Sequence, residues 1–173
     1  LERAGYECLL VDGVAERMRE AEFIQRAAAF QPDITLLEVS TASLETDLRQ
    51  AQAIKDCCPQ TRIILSGIHL DMYRPGFLDE HPLVDFVLMG EYDLIVEALV
   101  RAIENNGDFS QVPSLVYRGG DGVARENPRG DVIQDLDSIP WPARHFLPML
   151  HYWDLPGGIP EPSLQMWSSR GCP

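Results

Sequence analysis

Lysine is almost missing from this sequence: Lys55 is the sole example in 173 residues. With 14 basic against 27 acidic side chains, the net charge is −13. Nucleic acid and anionic membrane surfaces both need a basic patch, so both are excluded as partners. No run approaches the roughly 20 apolar residues of a membrane span, and nothing resembles a signal peptide. The cytoplasm is the expected compartment. Cysteine is scarce too. Cys8, Cys57, Cys58 and Cys172 lack the spacing of a disulfide framework, and Cys57 and Cys58 are adjacent. The first three read as small core or helix residues.

Two phosphate-binding signatures are also absent. A Walker loop needs Gly-x-x-x-x-Gly-Lys-Ser/Thr, but Lys55 falls in the middle of a helical pattern. No Gly-x-Gly-x-x-Gly follows a strand. A phospho-acceptor signalling domain needs a lysine at a late strand end, where this chain carries Gly67 and Gly90-Glu91 instead.

What is present suffices for a folded unit. Hydrophobic residues make up 45% and charged residues 24%, which permits a core and excludes general disorder. Leu1–Gly5 reads as the last turn of a helix. Glu7–Val11 reads as a strand, Asp12-Gly13 as a turn and Ala15–Phe30 as a helix. Ile34–Val39 is a short apolar run of buried-strand type. Leu44, Leu48, Ala51, Ile54 and Cys58 then fall on one helical face, closed by Pro59. Arg62–Ser66 is a strand, 75–80 a weak helix, Val84–Met89 a strand and Tyr92–Asn105 a helix stopped by Gly107.

Strand and helix alternate four times with short connections, which defines an α/β chain with a parallel, doubly wound sheet of Rossmann/flavodoxin-like type. Beyond 107 the texture changes. Leu115–Arg118 and Val123–Glu126 flank Gly119-Gly-Asp-Gly122, a β-hairpin signal. Seven of the 13 prolines fall between 128 and 162, in an irregular connector. A last short strand is expected at Ser163–Ser168.

In a doubly wound sheet ligands gather at the carboxyl ends of the strands. The loops there are small or polar. Ser40, Thr41 and Ser43 offer hydroxyls, and Gly67 and Gly90 let backbone approach a ligand. Taken singly, Ser43 before Leu44 reads as a helix cap. Taken as a set, the loops suit a large flat cofactor lying across the strand ends.

Several stretches resemble the cobalamin-binding domain of class B radical SAM enzymes. Ser66-Gly-Ile-His69 and Val84-Asp-Phe-Val-Leu-Met-Gly-Glu91 are similar to that family's strand-end loops. Asp108–Arg118, Asn127-Pro128 and Ile133–Pro142 resemble its connector, and Ser169-Arg-Gly-Cys-Pro173 resembles the opening of its catalytic barrel. Glu38–Thr41 and Gly90–Asp93 look most like the anaerobic magnesium-protoporphyrin IX monomethyl ester cyclase-like group.

The resemblance implies a cobalamin-binding unit over 1–107, a hairpin and Pro-rich connector over 108–162, and the start of a barrel over 163–173. By position, Ser40, Thr41 and Ser43 would line the nucleotide-tail cleft. Gly67, Ile68 and His69 would contact the corrin or tail, and Gly90, Glu91 and Tyr92 would close one side. The Asp-x-His-x-x-Gly motif of other cobalamin folds is absent, so His69 is expected to contact the cofactor without ligating cobalt. Leu70 stands where the family often has proline, and Tyr92-Asp93 where Gly-Glu is common.

The resemblance also implies that a first strand precedes "LERAGY", placed between Glu7–Val11 and Ile34–Val39. Its absence would expose a sheet edge through which two copies could pair. Cys172 would be the first of three ligands of a [4Fe–4S] cluster that binds S-adenosylmethionine. Alone it could hold no cluster, so this polypeptide is expected to bind cofactor without catalysis, in contact with the rest of the radical SAM chain. The competing reading is a non-catalytic Rossmann-like scaffold that has lost cobalamin binding.

Overall fold

A computed structural model describes residues 1–152. The expected strand at 163–168 and Cys172 lie outside the described residues. Three strands run parallel: β1 (Ile34–Val39), β2 (Arg62–Gly67) and β3 (Phe86–Leu88). The hairpin strands β4 (Leu115–Arg118) and β5 (Ala124–Glu126) continue the same sheet antiparallel, giving the order β1-β2-β3-β4-β5. The hairpin is therefore sheet as well as appendage. Val87 pairs with Val116 and Phe86 with Tyr117, so β3 is buried as an interior strand.

Helices cover both faces because each strand alternates its apolar side chains. Ile63, Leu65, Val87 and Val116 face α2 (Leu44–Cys57) and α3 (Pro75–Glu80) through Ala51, Phe77 and Leu78. Ile64, Phe86, Leu88 and Leu115 face α4 (Ile95–Glu104) through Leu99. Outside this sandwich, α1 (Glu20–Phe30) packs on α2, with Phe23, Ile24 and Ala27 against Ile54 and Cys58.

Two elements near the start differ from expectation. Glu7–Val11 forms no strand, although its sequence alternates. A strand needs a ladder, and none of the described strands pairs with this segment; β1 is instead an edge of the sheet. The helix expected from Ala15 starts at Glu20. Arg17 sits at φ 51, which no helix interior tolerates, and residues 12–18 close as a turn with Met18 N–H on Gly13 O. Glu22 then reaches back to accept the Arg19 N–H at 3.0 Å, starting the helix.

The amino ends of the strands are clamped by charge. Lys55 Nζ donates to Thr61 O at 2.6 Å and lies 3.4 Å from Asp85. Asp85 also accepts from Arg62 at 3.0 Å and from the Ile63 N–H at 2.8 Å. Arg118 ties the hairpin to the end of α3, donating to the carbonyls of Val84 (2.7 Å), His81 (3.4 Å) and Leu78. Beyond the hairpin, the described part of the connector forms 3-10 turns at Leu136–Ser138, Arg144–Phe146 and Met149–His151.

Candidate cofactor site at the strand carboxyl ends

β1, β2 and β3 are neighbours and parallel, so their carboxyl ends deliver three loops to one rim: 40–43, 67–69 and 90–92. Gly67 fixes the closest approach. It stands at φ 130, and a Cβ there would fall 1.9 Å from Val39 O. Ile68 N–H donates to that same carbonyl at 3.1 Å. Only glycine lets the first two loops meet in this way.

The serines of the first loop are bound to each other. Ser43 N–H donates to Ser40 Oγ at 3.2 Å, and Ser40 N–H donates to Ser43 Oγ at 2.9 Å. Ser43 stands at the N-cap position of α2, as expected, but its side chain makes no cap bond to the helix and is spent on Ser40 instead. Thr41 is exposed and pairs with His69: Nδ1 lies 3.2 Å from the threonine Oγ1. That contact ties the first loop to the second and leaves the other ring nitrogen, Nε2, on the far side of the imidazole.

Around the third loop, Gly90 holds φ 67 with nothing within 4 Å of a Cβ built on it. Glu91 turns to the connector, where its Oε2 accepts the Ile133 N–H at 3.2 Å. Tyr92 reaches β1, its hydroxyl donating to Glu38 Oε2 at 3.2 Å. Glu38 was not among the expected site residues; its signal was a lone charge in the apolar run Ile34–Val39. Ile68 is 76% exposed and Leu94 46% exposed on this rim.

A second tie runs from the connector to the Asp12-Gly13 turn. Tyr152 donates to Asp12 Oδ2 at 2.6 Å. Burial, then this bond to a carboxylate, pushes the Tyr152 phenol up to about 12. Burial alone would raise Asp12, but the Ala15 N–H and the Tyr152 hydroxyl hold it below the ordinary carboxylate range.

The rim fits cobalamin in kind. A corrin carries apolar ring edges and uncharged amides, and the rim offers exposed Ile68 and Leu94, the Thr41 hydroxyl, the His69 imidazole and the Tyr92 phenol. Gly90 leaves open space where any side chain would project. By contrast, a cleft of about 830 Å³ at the opposite end of the sheet is lined by Arg62, Asp85, Tyr117 and Arg125. Arg62 and Arg125 are committed to Asp85 and Asp121, and Arg118, which also lines it, to backbone carbonyls, so it offers an anion little. Among the described residues, no three His, Cys, Asp or Glu side chains converge as a metal site, and no helix is long and apolar enough to cross a membrane.

A three-stranded parallel core with its loops gathered at the carboxyl ends defines an α/β, Rossmann-like ligand-binding unit. The sequence profile of the B12 binding domain matches residues 1–100. The chain belongs to the B12-binding domain family, and cobalamin is its cofactor. It is 28% identical over 173 residues to "Uncharacterized methyltransferase PH0819" of Pyrococcus horikoshii, covering 99% of this chain and 36% of that protein. It is 26% identical over 174 residues to the anaerobic magnesium-protoporphyrin IX monomethyl ester cyclase of Synechocystis, covering 98% and 34%. The chain thus spans about a third of the length of these relatives. The fold matches the radical S-adenosylmethionine methyltransferase TsrM of Kitasatospora setae, solved with cobalamin and a [4Fe-4S] cluster bound. The TM-score is 0.59 at 15% identity, covering 80% of this chain and 26% of that one.

Proposed function

We propose that cobalamin lies across the carboxyl ends of β1, β2 and β3, held by the 40–43, 67–69 and 90–92 loops. The observation that supports this most directly is the convergence of the three loops, locked by Gly67 against Val39. Thr41, His69 and Tyr92 meet the cofactor's amides or tail, while Ile68 and Gly90 lie against its ring. Ser40 and Ser43 shape the first loop through their mutual bonds and present backbone to the tail. Glu91 closes the third side by holding the connector. His69 stays off the cobalt.

A cobalamin bound here supplies methyl-carrier or one-electron chemistry. In the longer protein, that chemistry serves a radical SAM centre with a [4Fe–4S] cluster and S-adenosylmethionine, to which Cys172 contributes a ligand. The reaction is methyl transfer or oxidative cyclisation, and a tetrapyrrole is one substrate the relatives suggest. The organisation is a cofactor unit over 1–107, a connector over 108–162 and a barrel entry over 163–173, in the cytoplasm. Alone, the 173 residues bind cofactor without turnover, and the β1 edge offers a route to a homodimer.

Titration with hydroxocobalamin, followed by visible absorption, tests the reading. A saturable shift of the corrin bands is expected, and Gly67→Val should abolish it. A chain that is folded by circular dichroism yet leaves the spectrum unchanged at high micromolar cofactor would be a scaffold, and the reading would fall.

A further inference from the structure

The function above leaves unused the pair Cys57-Cys58, which closes α2 where α1 packs on it. The two Sγ atoms lie 3.6 Å apart. Cys57 is half-buried and donates to Ile54 O at 3.3 Å. Cys58 is 3% exposed, with its Sγ 3.6 Å from Ala27 O and 3.6 Å from Gln31 Nε2. Both are free thiols. Gln31 is itself fixed by a 2.7 Å bond to Ala28 O, so the surroundings of the pair are set by both helices.

This spacing is far from the roughly 2.05 Å of a disulfide. It suits a soft centre that bonds both sulfurs. With sulfur bonds of about 2.3 Å, two sulfurs 3.6 Å apart subtend about 100° at the bridging atom. Tetrahedral and pyramidal centres both accept such an angle. The absence of a third His, Cys, Asp or Glu among the described residues then selects between them. A structural zinc needs four ligands and finds two here. A trivalent arsenic that already carries one carbon substituent has two open valences, and two thiols satisfy it.

We propose that Cys57 and Cys58 form a two-thiol capture site for mono-substituted trivalent arsenicals. Cys57, the half-exposed thiol, reacts first, and Cys58 closes the chelate from its buried position. For an arsine oxide the balance is simple. Two S–H bonds and the arsenic–oxygen bonds break, two arsenic–sulfur bonds form, and the oxygen leaves with both protons as water. Arsenic stays trivalent, so no oxidant or reductant is needed. Burial raises the Cys58 thiol above its ordinary range.

The test uses the 173-residue chain with Cys8→Ser and Cys172→Ser, leaving only the pair, and phenylarsine oxide as the probe. Mass spectrometry should show one phenylarsenic adduct per chain, and titration with a thiol reagent should fall from two thiols to none. Adding Cys57→Ser should weaken retention at least 100-fold on dilution; this position is half-buried, so the variant should keep its circular dichroism. Cys58→Ser is the second arm, read only if folded. Retention by either single thiol equal to that of the pair, or two thiols still titratable after treatment, would overturn the proposal. The pair sits at the opposite end of α2 from Ser40–Ser43, about 20 Å away by helix rise. The hydroxocobalamin spectrum should therefore not change with the adduct, and failure here says nothing against the cofactor reading.

Discussion

Tyr92 and Glu38 are joined across the sheet: the phenol that follows β3 donates at 3.2 Å to a carboxylate on β1, passing over the end of β2. The bond spans the rim where the cofactor would lie. As an exposed hydrogen bond to a charged group it should contribute about 1 kcal/mol at most. A double-mutant cycle of Tyr92→Phe and Glu38→Gln, read by urea unfolding, should give a coupling energy of about 0.5–1 kcal/mol. Coupling near zero would mean that the pair does not brace the rim in solution.

Gly67 and Gly90 both hold positive φ, yet they should respond differently to alanine. At Gly90 a Cβ meets nothing, so Gly90→Ala should cost only the left-handed strain of about 1–2 kcal/mol. At Gly67 the Cβ collides with Val39 backbone, and Gly67→Ala should cost about 3 kcal/mol or more. Chemical denaturation of the two variants side by side checks the order.

Within the first loop, structure and binding should separate. Ser40→Ala removes the hydroxyl that meets the Ser43 N–H and Oγ and should destabilise the domain by about 1 kcal/mol. Thr41→Val leaves the Ser40–Ser43 bonds intact. It should barely change stability while weakening hydroxocobalamin binding several-fold. Equal effects of both variants on stability, with none on affinity, would show that the loop does not meet the cofactor.

Arg118 donates to three carbonyls near the end of α3. Arg118→Ala should therefore cost about 3 kcal/mol, since each hydrogen bond from a charged donor contributes about 1.5–3 kcal/mol and the three share one group. Thermal unfolding of the variant gives the answer.

The connector contact between Tyr152 and Asp12 should depend on pH at both ends. Tyr152 is raised in the fold from 10.0 to about 12, so its contribution is complete below 10 and is lost as pH rises through 12. Asp12 is lowered from 3.8, so its contribution is complete above that value and fades as pH falls below it. Tyr152→Phe should remove the alkaline part. Stability curves of the two proteins from pH 5 to 12 would converge at the alkaline end if the bond is made in solution.

The βα alternation, the three strand-end loops and the two special glycines could be read from the sequence because each rests on local pattern. What could not be read rests on distant partners. Leu115–Arg118 announced a hairpin, but nothing local says that it docks antiparallel on β3. Glu7–Val11 had the alternation of a strand and no ladder to join. Ser43 could be read as the residue that precedes α2, but not that its hydroxyl would be spent on Ser40 rather than on the helix. Glu38 was visible as a charge out of place, yet its partner Tyr92 lies 54 positions away. The role of Glu91 on the connector was equally hidden, because Ile133 contributes only its backbone.

The two margins of the sheet are unlike. β5 is three residues long and carries Arg125 and Glu126, whereas β1 is six residues long and largely apolar. Among the described strands, growth by strand addition is therefore possible on one side only. If two copies of this chain met through β1, the described strands would leave each only its short, charged β5 margin. Association by that route would be self-limiting, ending at a closed pair rather than a fibre.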